Sequence, residues 1–520
     1  MKAQNSDKMA PSVKKIDTLL LQQGTVPATN QFKQGLDLFD ATMIVVGVMI
    51  GSGIFIVSAD MSRLIGSSGW LLVAWAITGV LTIAGALSFG ELAGMMPRAG
   101  GMYVYLREAF SPMWGFLYGW TLFSVIQTGT IAAVAVAFGR FLGVLWPLVS
   151  EDKYLIRPIH VSSHYALSIS TVQLVAILMV ALLTSTNSFG LNYGRLVQNL
   201  STVVKIGTLF GLIVIGILLG SNTAAVHANF ANPWTRHGFE PIVPGLTAGS
   251  AFGLFIALCV SQTGSLFAAD AWHNIAFAAA EVKDARRNVT LAMVIGTVVV
   301  ILLYLLANLA YLTTLPLSAI QHAPSDRVAT ATLRVILPGI GTIAMAAAIM
   351  VSTFGAVNAL IMTGARVYYA MACEQLFLPA AARLNKAHVP ARSLLVQGIW
   401  AMLLVLPRTY DPATGKYGNV YSNLLDYVVS AVLLFYILTV LGLFRLRFVR
   451  PNAERPYRAV GYPVVPALHI LCTSAILLAL LVYRPTSTWP GLFLILLAVP
   501  VYALLRYANK RAKRAHVCLE

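Results

Sequence analysis

The residues of this chain that could do chemistry lie where apolar sequence ought to run unbroken. Gly51-Ser52-Gly53-Ile54-Phe55 sits inside an apolar run from about Ala41 to Ile65. Two glycines flanking a serine are poor helix formers even in lipid. A helix that stops and restarts there leaves N–H and C=O groups without intrahelical partners. Hydrocarbon tolerates that only where the backbone faces protein or a polar cavity. The restarted half aims its N–H groups and the positive end of its dipole at the gap, which suits a carboxylate. The same glycines would equally serve close helix packing, so the motif alone leaves both readings open.

Lys205 is the second such residue. It lies about ten residues, or ~15 Å, past Arg195 along a helix, too deep for easy snorkelling. A lysine at that depth is costly and faces the bundle interior, held by carbonyls or hydroxyls. A purely structural tether remains the other reading. The third is Gly264-Ser265-Leu266-Phe267-Ala268-Ala269-Asp270-Ala271-Trp272-His273-Asn274, where an Asp, a His and an Asn cannot all face lipid. This stretch lines a cavity or breaks its helix. Ser352 and Thr353 could offer hydroxyls to a cation or ammonium, although such hydroxyls often bond the preceding carbonyls of their own helix.

Other candidates are weaker. His160 and His164 have the i,i+4 spacing of metal ligands on a helix, but Glu151 and Asp152 lie too far upstream to complete a set, so a solvated loop is expected. Tyr103, Tyr105 and Arg107 look like membrane-interface anchors. The four cysteines are scattered, with no CxxC pair, and no HExxH motif is present. No metal and no cofactor are expected, and neither an intramembrane enzyme nor a channel with a repeated pore loop is supported.

These residues need elements to hold them. The 520-residue chain is 58% hydrophobic and 11% charged, against about 25% charged in an ordinary soluble domain. Apolar segments of spanning length lie near 40–66, 69–95, 113–145, 167–187, 194–220, 246–278, 289–315, 333–373, 392–407, 421–446, 464–483 and 488–506, the ninth being short for a span. The net charge of +17 is asymmetric: with both termini cytoplasmic, Arg286 and Arg287, the Arg445–Arg458 cluster and Arg506 through Arg514 fall on that side. This is a topology signal and a basic rim for lipid, not a nucleic-acid surface. The interruptions fall in the first and sixth spans, five apart, which matches transporters built as inverted repeats around broken helices. The expected organisation is an all-α integral membrane protein: a cytoplasmic tail 1–37, five-helix repeats at 38–220 and 221–446, two peripheral helices at 447–506 and a basic tail 507–520.

At this point the chain resembles the amino acid–polyamine–organocation superfamily, most closely its L-type amino acid transporter branch and bacterial relatives. The matching stretches are Val46 through Phe55, Ser88-Phe89-Gly90-Glu91-Leu92 through Pro97, Gly100 through Leu106, Val197-Gln198-Asn199 leading to Lys205, Phe267–Asn288, Gly364 through Met371, and Arg455-Pro456-Tyr457-Arg458. They cover roughly residues 36–506. The resemblance implies twelve helices, a five-plus-five inverted repeat and alternating access. It implies that Ser52 and Gly53, with Ile54 beside them, hold a substrate carboxylate through backbone N–H. The carbonyls of Met49, Phe267 and Asp270 would receive the α-ammonium, and Phe267 would gate the bound amino acid. In relatives a lysine at the position of Lys205 takes the place of a sodium ion, and here it would lie between carbonyls such as Gly47 and Ile50 and the hydroxyls of Ser352 and Thr353.

Where the family commonly reads Phe-Ala-Tyr-Asp-Gly-Trp-Asn, Ala269, Ala271 and His273 replace the Tyr, Gly and Asn. Ala271 should stiffen the unwound stretch, and His273, placed near the ammonium, could titrate close to neutral pH. Animal relatives hold a glycoprotein subunit through a cysteine in the loop after the third helix. No Cys lies between Leu142 and Leu167, so no covalently linked subunit is expected. The reading is a sodium-independent carrier of neutral L-amino acids in the cell membrane, by exchange or uniport. The second reading is a proton-coupled symporter in which Lys205 or His273 titrates.

Overall fold

The computed structural model describes residues 32–412, 415–418 and 420–517. Residues 1–31 of the expected tail and Cys518 lie outside the described residues.

Hydrophobic length sets the architecture. Among the described residues, 11 helices are long and apolar enough to cross a membrane: Leu38–Ile56, Ser68–Met95, Pro112–Leu145, Thr171–Ser188, Gly194–Leu218, Ala251–Glu281, Ala285–Thr314, Gly341–Cys373, Leu424–Val449, Val464–Tyr483 and Thr488–Asn509. Ala391–Leu404 is a shorter apolar helix, about 21 Å at the α-helical rise and so below the ~30 Å hydrocarbon thickness. Counted as the ninth, it brings the bundle to the twelve expected, with the short one where the sequence puts it.

Local signals explain where the helices begin. Asp37 closes a capping box at the first helix, its side chain accepting from the Asp40 N–H at 2.8 Å. Ser67, Ser170 and Ser250 cap the second, fourth and sixth helices in the same way. The seventh helix packs along the first and second, and the eighth along the third and fifth. The first helix is thereby enclosed by neighbours, and its chemistry faces protein.

Two regions depart from expectation. The loops after the third and ninth helices form a four-stranded antiparallel sheet, with β1 Tyr154–His160, β2 Tyr165–Ser170, β3 Pro407–Asp411 and β4 Lys416–Tyr417 in that order. His160 therefore sits on a strand and His164 in the turn, so helical i,i+4 spacing does not apply. His160 Nε2 instead meets the Tyr417 hydroxyl at 3.1 Å. Tyr103 and Tyr105 are not interface anchors: both are fully buried, and the Tyr103 hydroxyl donates to Glu374 Oε2 at 2.6 Å. A short helix, Met102–Ala109, folds them inward beneath the bundle.

Candidate functional site

The first helix breaks where the glycines are. It ends at Met49, the Gly51 N–H turns back to the Met49 carbonyl at 2.8 Å, and helix resumes at Gly53–Ile56. Breaking the helix exposes carbonyls, and three side chains from other helices take them. Lys205 Nζ, fully buried, donates to the Gly47 carbonyl at 2.5 Å. The Tyr304 hydroxyl donates to Met49 O at 2.8 Å, and Ser352 Oγ reaches Ile50 O at 3.1 Å and Gly51 O at 3.3 Å. The N–H groups of Ser52, Gly53 and Ile54 open the restarted helix. No backbone carbonyl among the described residues takes them, so the gap presents donors.

The sixth helix breaks opposite. Ala251–Ala268 ends at Ala269, and Ala271 adopts a left-handed conformation (φ 66°) before the tight 3₁₀ stretch Trp272–Glu281 begins. A Cβ on Gly53 would stand 2.5 Å from Ala268 Cβ and 2.7 Å from Ala268 Cα. Only glycine lets the two breaks approach this closely. The Tyr304 hydroxyl spans them, lying 3.0 Å from Ala268 O as well as 2.8 Å from Met49 O. It shares one proton between the two ends.

The Asp270 carboxylate accepts from the Tyr436 hydroxyl, which also meets His273 Nδ1 at 3.0 Å. A void of about 20 Å³ adjoins Asp270, Tyr436 and His469, a size that suits one water. Phe267 stands edge-on to Tyr421 with ring centroids 6.1 Å apart, and the Tyr421 hydroxyl lies 3.1 Å from Ser52 Oγ. From this lid a pocket of about 130 Å³, lined by Ile56, Val57, Gly264 and Tyr421 among others, opens toward the sheet end of the bundle.

The opposite end is closed. Gly35 and Leu36 donate to the Glu281 carbonyl at 3.0 Å, and Lys283 N returns to Leu36 O at 2.8 Å. The Glu281 carboxylate pairs with Arg366 at 2.7 Å, both side chains at most 3% exposed. A buried pair this enclosed is expensive to separate unless both partners find water together. Glu91 takes Arg447 and Arg455 at 2.5 and 3.1 Å. Nearby, burial raises the Glu108 carboxyl, but hydrogen bonds from Arg107 and Arg450 outweigh it and hold the group below the usual glutamate range. That contact therefore supports the fold above the ordinary glutamate pKa and is lost as pH falls through the lowered one.

Of the residues singled out from sequence, Gly47, Met49, Ile50, Ser52, Gly53, Ile54, Lys205, Phe267, Asp270 and Ser352 come together around the two breaks. Not all act as expected. Thr353 Oγ1 bonds Ile349 and Met350 of its own helix at 2.9 and 3.0 Å and gives nothing to Lys205. His273 is packed among Phe89, Trp272, Phe277 and Tyr436, and reaches Asp270 only through the tyrosine hydroxyl. The Met49 carbonyl, expected to receive an ammonium, already accepts from Tyr304 at 2.8 Å, and the Phe267 carbonyl already accepts from the Ala269 and Asp270 N–H groups, so an ammonium there shares an acceptor already in use. Sequence reasoning missed Tyr304, Tyr421 and Tyr436. A tyrosine in mid-span, whose hydroxyl must find a partner away from water, was the available signal for Tyr304 and Tyr436.

Known proteins are similar to this chain along most of its length. The serine/threonine exchanger SteT of Bacillus subtilis (strain 168) is 28% identical over 487 residues, covering 93% of this chain and 98% of its own. The b(0,+)-type amino acid transporter 1 of Rattus norvegicus is 28% identical over 473 residues, covering 91% and 87%. The human cystine/glutamate transporter is 27% identical over 489 residues, covering 93% and 87%. The profile of the amino acid permease family matches residues 36–504. With that match and twelve apolar helices among the described residues, the chain belongs to the amino acid permease family, and is a multi-pass membrane protein of amino acid transport.

Proposed function

We propose that this protein is a sodium-independent carrier of neutral L-amino acids, working by exchange or uniport through alternating access. The observation that carries the reading is Lys205. Its Nζ lies on the Gly47 carbonyl beside the first break, with no carboxylate in ion-pair range among the described residues. A fixed cation placed against carbonyls does the work of a bound metal ion there, so none need be carried. The substrate carboxylate sits on the N–H groups of Ser52, Gly53 and Ile54, its ammonium takes the carbonyls of Phe267 and Asp270, and Phe267 closes over it. Gly47, Ile50 and Ser352 hold the lysine side of the break. The two halves, 38–220 and 221–446, move against one another, and 447–506 stay peripheral.

With the basic loops inside, the Glu281 end and both termini face the cytoplasm and the sheet faces outward from a cell membrane. The chain works without a disulfide-linked subunit, having no Cys between Leu142 and Leu167. A second reading, proton-coupled symport, is favoured by one feature: Asp270, Tyr436 and His273 form a continuous hydrogen-bonded run at the sixth break.

Counterflow in proteoliposomes separates the two. Uptake that requires internal amino acid and ignores sodium supports the first reading, and uptake into empty vesicles driven by a pH gradient supports the second. Lys205→Ala should abolish transport in either case, and normal counterflow by that variant would remove the lysine from the mechanism.

A further inference from the structure

The four-stranded sheet carries its polarity the wrong way round for one that meets water. One side holds Ala166, Ser168, Ser170 and Arg408, all buried. Pairing sets Ile156 beside Ile169, Ile159 beside Leu167, and Leu167 beside Pro407, so these five share the other side. There Ile156, Ile159 and Leu167 are 48, 62 and 44% exposed, and Pro407 is exposed as well. An antiparallel sheet with one solvated face normally turns its apolar residues inward. Here the alternation is kept but inverted, which suits a face laid against oil.

The connections set the depth of that face. The ninth helix, Ala391–Leu404, leads into β3 at Pro407 after two residues. It falls about 9 Å short of the ~30 Å hydrocarbon layer, a gap that about three extended residues close. The rung of Pro407 and Leu167 therefore comes to the hydrocarbon boundary. β2 runs straight into the fourth helix, Ser170 being the last strand residue and Thr171 the first helical one. Leu174 and Leu178 of that helix, and Ile399 and Leu403 of the ninth, are exposed apolar side chains that the sheet face continues. Tyr165 pairs with Thr409 on the same side, and its hydroxyl lies 3.3 Å from that of Tyr427, which is inside the span Leu424–Val449.

The backbone at this junction needs no water. Ser168 N–H donates to the Leu406 carbonyl at 3.2 Å, the Gln173 amide donates to Val405 O at 2.7 Å, and its carbonyl oxygen accepts from Ser170 N–H at 2.7 Å. β1 is different. Among the described residues no strand pairs its far edge, and it carries the exposed Arg157. Open edges are excluded from hydrocarbon, so β1 fixes the sheet at headgroup level.

We infer that the face formed by Ile156, Ile159, Leu167, Ile169 and Pro407 is a lipid-binding surface, seated at the boundary of headgroups and acyl chains in the leaflet on the sheet side. It completes the crossing that the ninth helix leaves unfinished. Continuity with the exposed apolar sides of the fourth and ninth helices, and the depth marked by Tyr427, select lipid over a protein partner. The inference uses the membrane character of the chain and is independent of what is transported.

The test places a polarity-sensitive fluorophore on a single thiol of the full chain in liposomes, the four native cysteines being changed to alanine. Ile159→Cys and Leu167→Cys report the apolar face, and Ser162→Cys reports the exposed turn between β1 and β2. On the face, emission should be blue-shifted, and lipids with a nitroxide high on the acyl chain should quench it several-fold more than aqueous iodide does. At Ser162 the order should reverse. Ile156→Cys gives the same reading from a second strand position should Leu167→Cys disturb its rung. Iodide quenching that dominates at Ile159 and Leu167 would put the face in water and overturn the inference. Shielding from both quenchers would mean that protein covers the face and would overturn it equally. If that shielding grew with the protein-to-lipid ratio, the cover would be a second copy of this chain.

Discussion

The two helix breaks face each other across the same gap but are satisfied in opposite ways. At the first, the exposed carbonyls of Gly47, Met49, Ile50 and Gly51 are filled by Lys205, Tyr304 and Ser352 from three other helices. What is left is a set of backbone donors held rigidly. At the sixth, the polarity is carried by side chains: the Asp270 carboxylate, the Tyr436 hydroxyl and the His273 imidazole in sequence. On the proposed reading the first break is therefore a fixed electrostatic surface suited to any α-carboxylate. The sixth can be retuned by substitution or protonation, and is where relatives with different substrates should differ.

The sharpest way to break this comparison is to push the two breaks apart. Gly53→Val puts a branched side chain where Ala268 backbone already lies, an overpacking cost of about 3 kcal/mol. Counterflow should vanish and the unfolding midpoint should fall, and near-normal transport would mean the close approach is unnecessary. Next is Tyr436→Phe, which strips Asp270 of a donor, a loss of about 2 kcal/mol for a bond to a charged group. Combined with Asp270→Asn in a double-mutant cycle, the two losses should be far from additive in substrate affinity. Additivity would separate the tyrosine from the carboxylate.

Tyr304→Phe removes one hydroxyl proton shared between Met49 O and Ala268 O, at about 1 kcal/mol. The variant should remain folded and bind substrate more weakly, as read by thermal shift with and without amino acid. The smallest effect is expected from Ala271→Gly. A non-glycine residue in the left-handed region costs about 1 kcal/mol, which glycine relieves while adding unfolded-state entropy of similar size. Stability should therefore change little, while turnover in exchange assays should rise as the sixth break loosens. Slower turnover would show that the stiffness of Ala271 is part of the mechanism.

Much of this molecule was readable one residue at a time. Spanning length, the glycines at 51 and 53, the lysine at 205 and the acid at 270 declare themselves because lipid penalises each locally, whatever the neighbours are. That is why the twelve helices and both breaks follow from the sequence. The partners of those groups do not. Thr353 and Ser352 are adjacent and chemically alike, yet only Ser352 points at the first break, since helix rotation turns the two about 100° apart. Mid-span position marks Tyr304 and Tyr436 as needing a polar partner, and Tyr421 lacks even that signal, but which carbonyls and hydroxyls come within reach is decided by other helices. The sheet pairs strands more than two hundred residues apart. Cost in lipid is a property of each segment, so the sequence alone determined the spans and where they are interrupted. Hydrogen-bond satisfaction depends on which segments meet, and only the tertiary structure decided that.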